Sequence, residues 1–67
     1  MTSTLDIDRS ALLLIRHYGE RALLKAAIRA DELLEAGDIE GCRVWRQIIT
    51  AIEKLQAQLP KPGQAVH

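Results

Sequence analysis

Apolar residues recur along this chain at the three- and four-residue intervals of amphipathic helices, in three successive segments. The apolar face of the first segment comprises Ile7, Ala11, Leu14 and Tyr18. Asp6 can cap the start of this helix by accepting hydrogen bonds from backbone N–H groups, and Gly19 can adopt the left-handed conformation that ends a helix. The pattern therefore predicts a helix from about Ile7 to Tyr18.

The second and third segments have the same periodicity. The predicted seam of the second comprises Leu23, Ala27, Ala30 and Leu34, flanked by Ala26 and Leu33. The predicted seam of the third comprises Trp45, Ile48, Ile52, Leu55 and Leu59, with Cys42 and Ile49 beside it. We expect the second helix to end at Gly37 and the third to run to Leu59, because Pro60 removes a backbone donor.

The stretch EAGDIEG, residues 35–41, has the composition of a tight turn between these two helices. Gly37 suits the position after a helix end, and Asp38 suits the N-cap of the next helix, where its carboxylate can accept hydrogen bonds from the N–H groups near Glu40 and Gly41. If the chain reverses there, residues whose numbers sum to about 75 lie side by side, so that Ala30 faces Trp45. The bulky indole then fills the space that an alanine leaves. The sequence predicts an antiparallel hairpin with Gly37, Asp38 and Gly41 in its turn and Ala30, Trp45, Ile48 and Ile52 in its core.

The length of the chain, 67 residues, allows one small domain. We assign residues 1–59 to a three-helix domain and residues 60–67, PKPGQAVH, to a flexible tail. A domain of this size removes only roughly 60% of the unfolded chain's surface from water, so it is marginally stable alone. Cys42 is the only cysteine and cannot form an internal disulfide, and no zinc-site spacing is present. Tight helix packing and self-association remain as sources of stability.

Charge is balanced, with nine Lys or Arg and nine Asp or Glu. A net charge of zero provides no overall attraction to nucleic acid or to an anionic membrane. The run LLLI is too short for a signal core or a membrane span. We expect a soluble cytoplasmic protein without membrane contact, and a lone thiol suits that reducing compartment.

The first helix carries more apolar residues than one packed face requires. Residues 12–15 are all apolar, and four consecutive side chains span almost the whole circumference of a helix. A helix packed on one hairpin cannot bury all of them, and exposed apolar patches usually mark an interface. We expect a two-fold homodimer, with Leu12, Leu13, Ile15 and Leu24 as its contact residues. A groove for a helix of another protein is the alternative.

Two charged groups invite other interpretations. The acidic group comprises Asp31, Glu32, Glu35, Asp38 and Glu40, whose spacing does not match a calcium loop, so no metal is expected. Acidic residues in the last turn of a helix interact unfavourably with its dipole. A basic partner, such as a second copy of the chain, would explain their presence there. Whether such a partner binds is left open. Arg21, Lys25 and Arg29 form a basic edge. Arg43 and Arg46, near the start of the third helix, would read DNA in an alternative nucleic-acid-binding protein, which we consider less supported.

Residues with catalytic chemistry do not form a recognisable constellation. His17, Tyr18 and Glu20 surround the first turn, and Cys42 lies elsewhere in the chain. Nucleophilic catalysis needs a base and an orienting group beside the nucleophile, and no such set is apparent. We therefore expect no catalytic residues, no cofactor and no enzymatic activity.

Residues 17–55 resemble a group of short uncharacterised bacterial proteins with the pattern H-x-G-x-x-A-x-x-x-A-A-x-R-A-D followed by G-D-x-x-G-x-x-V-W-x-x-I-x-x-A-I-x-x-L. The matching residues are His17, Gly19, Ala22, Ala26, Ala27, Arg29, Ala30, Asp31, Gly37, Asp38, Gly41, Val44, Trp45, Ile48, Ala51, Ile52 and Leu55. This resemblance implies a bacterial source and a helical fold. Taken together, the sequence predicts an all-α, homodimeric helical bundle of three helices that acts as a protein-interaction module or regulator.

Overall fold

The computed structural model describes residues 3–58, and every regular element among them is helical. Helix α1 spans Thr4–Tyr18, α2 spans Ala22–Glu35 and α3 spans Ile39–Gln58, with a short 3-10 turn at Gly19–Arg21. The prediction of an all-α protein is confirmed for this part of the chain. Leu59, expected at the end of the third helix, and the expected flexible tail 60–67 lie outside the described residues.

The start of α1 differs from the sequence prediction. Ser3 is the N-cap, and its side-chain oxygen accepts a hydrogen bond from the Asp6 N–H at 3.2 Å. The expectation that Asp6 caps a helix beginning near Ile7 was therefore wrong, and the helix begins one turn earlier. Serine and aspartate are comparable N-caps, so the earlier of the two allows an additional helical turn. Asp6 lies instead in the first turn, where its charge interacts favourably with the helix dipole.

The junction between α1 and α2 contains no intervening loop, because the 3-10 turn follows Tyr18 directly. Gly19 has a φ of 57°, and its N–H donates to the Ile15 carbonyl. Positive φ is unfavourable for most residues with a Cβ atom, so glycine suits this position. The Gly19 carbonyl accepts a hydrogen bond from Nε2 of Gln56 at 3.2 Å, so the end of α3 lies beside the junction.

The turn between α2 and α3 has the hydrogen bonds of a Schellman motif. The Asp38 N–H donates to the Leu33 carbonyl at 2.8 Å, and the Gly37 N–H donates to the Leu34 carbonyl at 3.0 Å. Gly37 has a φ of 83°, as this motif requires. These bonds satisfy two carbonyl groups at the end of α2 within the turn itself.

Asp38 begins α3 by accepting a hydrogen bond at Oδ1 from the Gly41 N–H, at 2.9 Å. This bond also explains a glycine inside the first turn of a helix. A Cβ atom at position 41 would lie 2.5 Å from Oδ2 of Asp38. The capping carboxylate therefore occupies the space that a side chain at this position would need.

Helices α2 and α3 pack against each other extensively, and α1 packs mainly on α3 and less on α2. The hydrogen bond between Gln56 and Gly19 joins residues whose numbers sum to 75, the value expected for the reversed chain. This contact lies far from the turn along α3. The contact therefore agrees with the expected register of α2 and α3 at the end of the hairpin that is far from the turn.

The core is small and combines alanines of α2 with isoleucines of α1 and α3. Its main cluster comprises Ile7, Ala11, Ala22, Ala26, Ile48 and Ile52. Partly buried apolar side chains pack around it: Leu14, Ile15, Leu23, Val44, Trp45, Ile49, Ala51 and Leu55. Ile52 is the only large side chain, among the residues described, that is fully buried. So few large buried side chains provide limited hydrophobic stabilisation.

The buried face of α2 is rotated from the predicted seam. The buried residues are Ala22, Ala26 and Ala30, each four positions after the last. The predicted seam residues Leu23 and Ala27 are half-buried, and Leu34 is exposed, which corrects the prediction. Alanines on the packed face allow the backbone of α2 to approach its neighbours closely, whereas the leucines lie along its flanks.

Candidate interaction surface

More large apolar side chains are exposed than buried among residues 3–58. The exposed ones are Leu5, Leu12, Leu13, Tyr18, Leu24, Ile28, Leu34 and Ile39. The buried ones are Ile7, Ile48 and Ile52. A single exposed apolar residue needs no explanation, so the positions of these residues on the helices matter more than their number.

On α1, two of the predicted contact residues are exposed and one is not. Leu12 and Leu13 are 47% and 48% exposed. Ile15 is half-buried and packs against the core, so only part of its side chain is accessible to the predicted interface. It lies four residues after Ala11 and therefore on the same, buried face of the helix. Leu5, two turns before Leu12, adds a further exposed side chain that the sequence interpretation missed.

On α2, Leu24 is 58% exposed and Ile28 is 46% exposed. These residues are four positions apart and so are neighbours on one helix face. They lie on the side of α2 opposite Ala26, since a step of two residues turns an α-helix by roughly 200°. Ile28 was missed from the sequence, although its spacing from Leu24 was a signal for it.

The outward face of α3 is polar. Its exposed side chains include Glu40, Arg43, Gln47, Thr50 and Lys54, at intervals of three and four. Arg43 lies 3.8 Å from Glu40, with both side chains well exposed. Within the described part of α3, Ile39 in the first turn is the only exposed large apolar residue. The surface of this helix is thus an ordinary solvated face.

The predicted turn and core residues lie in two distinct environments. Gly37 and Asp38 are exposed in the turn, and Gly41 is half-buried beneath the Asp38 carboxylate. The core residues Ala30, Ile48 and Ile52 are buried, whereas Trp45 is only half-buried. The indole therefore lies at the edge of the packed interior.

The acidic group near the turn has several separate roles. Asp38 caps α3, Glu40 pairs with Arg43, and Glu32 lies 3.6 Å from Arg29. Asp31 and Glu35 are exposed and belong to no ion pair within residues 3–58. No group of His, Cys, Asp and Glu side chains in this range could hold a metal ion. Two carboxylates of the group thus have no local role.

The basic edge of α2 is exposed, and Nζ of Lys25 lies 5.3 Å from the centre of the Tyr18 ring.

The side chains considered for catalysis are in different environments, because His17 and Glu20 are exposed whereas Cys42 is buried. Over the same described residues, no helix has the length and apolar character needed to cross a membrane.

Comparison of the chain with protein-family models, with curated proteins and with solved structures finds no significant match.

Proposed function

We propose that this protein is a small, non-enzymatic protein-interaction module that forms a homodimer of three-helix hairpin subunits through apolar helical surfaces. The observation that carries the proposal is the contrast between helices: large apolar side chains are exposed on α1 and α2, whereas the outward face of α3 is polar. A polar outward face such as that of α3 is typical of a helix surface that contacts only water. Exposed leucines gathered on the other two helices favour contact with another protein surface.

The composition of the core supports self-association. Alanines form the buried face of α2, and they contribute little apolar area compared with leucine or isoleucine. A chain with so small a core gains stability when a second copy covers its exposed leucines, because binding that requires the folded state favours folding. Small domains commonly use oligomerisation in this way.

The alternative, nucleic-acid binding through Arg43 and Arg46, has less support. Arg43 is next to Glu40, and the chain as a whole has no net charge. Salt distinguishes the two functions, because phosphate contacts weaken steeply with ionic strength whereas an apolar interface responds little. We assign the module to the bacterial cytoplasm, since the motif resemblance implies that source and the lone Cys42 thiol suits a reducing compartment.

The test is the substitution Leu13→Glu, measured by sedimentation equilibrium. Leu13 is half-exposed within one subunit, so a charge there leaves the monomer folded but opposes burial at an interface. We expect unchanged helicity by circular dichroism and a shift of mass from dimer toward monomer. The matched control is Gln47→Glu on the polar face of α3, which should leave the dimer intact. An unaltered mass for the Leu13 variant would count against an interface that includes α1.

A further inference from the structure

The outward face of α2 has a pattern of side chains that fits a second copy of itself. Arg21, the N-cap of α2 and the last residue of the 3-10 turn, is followed at intervals of three, four, three and four by Leu24, Ile28, Asp31 and Glu35 of α2. This is the spacing of residues along the seam of a helix pair. All five residues are exposed, so the whole stripe is accessible within one subunit.

Charge is distributed unevenly along this stripe. The end near the start of α2 is basic, the centre is formed by Leu24 and Ile28, and the end near the turn is acidic. Parallel pairing of two such helices would bring Arg21 against its own copy and Asp31 against its own copy. Antiparallel pairing brings the basic end of each helix against the acidic end of the other. Only the second arrangement is electrostatically complementary.

The same distribution is unfavourable for α2 on its own. Negative charge stabilises the start of a helix and positive charge stabilises its end. Helix α2 has no acidic residue in its first turn and no basic residue in its last turn, and Asp31 and Glu35 have no ion-pair partner among residues 3–58. An antiparallel partner helix would place arginine beside these carboxylates.

We propose that the outward face of α2 is the self-association seam of this protein, formed by antiparallel pairing with α2 of a second copy. Leu24 of each chain lies opposite Ile28 of the other, and Arg21 of each chain lies opposite Asp31 of the other, near Glu35. The two-fold axis crosses the seam midway between Leu24 and Ile28. This inference rests on the proposed homodimer and adds the identity, direction and register of the paired helices.

The experiment uses two full-length variants with opposite charge changes. The acidic variant carries Arg21→Glu and Lys25→Glu, and the basic variant carries Asp31→Lys and Glu35→Lys. In each variant alone, the two ends of the seam have the same charge and repel. We expect the dimer dissociation constant to rise at least about tenfold, because every lost pair acts twice in a symmetric dimer. An equimolar mixture restores opposite charges at both ends and should form a heterodimer.

A matched control separates the seam from the net charge of the chain. Arg46→Glu with Lys54→Glu makes the same change in net charge on the polar face of α3. This control should dimerise like the wild type. When it is mixed with the basic variant, heterodimers should not be favoured over homodimers. Both α2 variants should keep their helicity, because the new charges agree with the dipole of α2.

Direction is tested by cross-linking in a Cys42→Ala background. A chain carrying Arg21→Cys should form a disulfide with a chain carrying Asp31→Cys. Two chains that both carry Arg21→Cys should not form a disulfide. If wild type and both α2 variants dimerise equally, the seam is overturned while the homodimer stands. If the wild type is monomeric throughout, both proposals fail. Disulfides between two copies of Arg21→Cys would overturn the antiparallel arrangement.

Discussion

Single residues determine where the chain turns in this protein. Gly37 has positive φ and closes α2, and Asp38 caps α3, as the letters G and D between two apolar patterns indicate. Both roles depend on local backbone chemistry, so they could be predicted from a few neighbouring residues. The choice between Ser3 and Asp6 as the cap of α1 could not be predicted in this way, because both residue types are effective caps and either one permits the same apolar face.

Gly37→Ala tests the turn between α2 and α3. Apart from Gly37 and its two chain neighbours, no residue has a heavy atom within 4 Å of a Cβ built at position 37, so the effect comes from the backbone conformation. We expect a loss of about 1–2 kcal/mol in the free energy of unfolding, measured with urea at one protein concentration. Gly37→Asn is the control and should lose less, because asparagine adopts the left-handed conformation more readily. Equal stability of the alanine variant and the wild type would contradict the assigned turn.

Asp38→Ala removes the hydrogen bond that the Asp38 carboxylate accepts from Gly41. The substitution should lower the free energy of unfolding by about 0.5–2 kcal/mol, the usual contribution of an N-cap. Asp38→Asn retains an acceptor and should remain close to the wild type. The same urea titration measures both variants, and a stability of Asp38→Asn as low as that of Asp38→Ala would show that the cap bond is not the cause.

Helices were easier to predict than the faces that they bury. Helix α2 has apolar residues around most of its circumference, so a seam through Leu23 and Leu34 and a seam through Ala22 and Ala26 both satisfy helical periodicity. The packing of α2 against both α1 and α3 decides between them, and a single helix pattern does not contain that information. The partial burial of Ile15 in α1 depends in the same way on the packing between helices.

Ala30→Leu tests the packing between elements. Ala30 is 5% exposed, so a larger side chain there overpacks the interior and should cost about 1–3 kcal/mol of folding free energy. Ala57→Leu makes the same change at an exposed position of α3 and should alter stability by less than about 0.5 kcal/mol. The melting temperatures of the two variants, measured by circular dichroism, give the comparison. Equal melting temperatures would indicate that Ala30 is not closely packed.

At the scale of the molecule, the exposed large apolar side chains among residues 3–58 outnumber the buried ones. Exposed leucines of α1 and the Leu24 and Ile28 pair of α2 lie on helices whose inner faces contribute small or few side chains to the interior. The sequence interpretation anticipated this excess from the run at residues 12–15, because four consecutive apolar side chains cannot share one face. It did not identify the outward stripe of α2, which became apparent only once the buried face of that helix was known.

We expect a second copy of the chain to cover these surfaces, and the mass of the wild-type protein in solution shows whether it does. Sedimentation equilibrium across the micromolar range should give twice the 7.5 kDa mass of one chain, with dissociation only on dilution. A mass of one chain at every concentration would contradict the account.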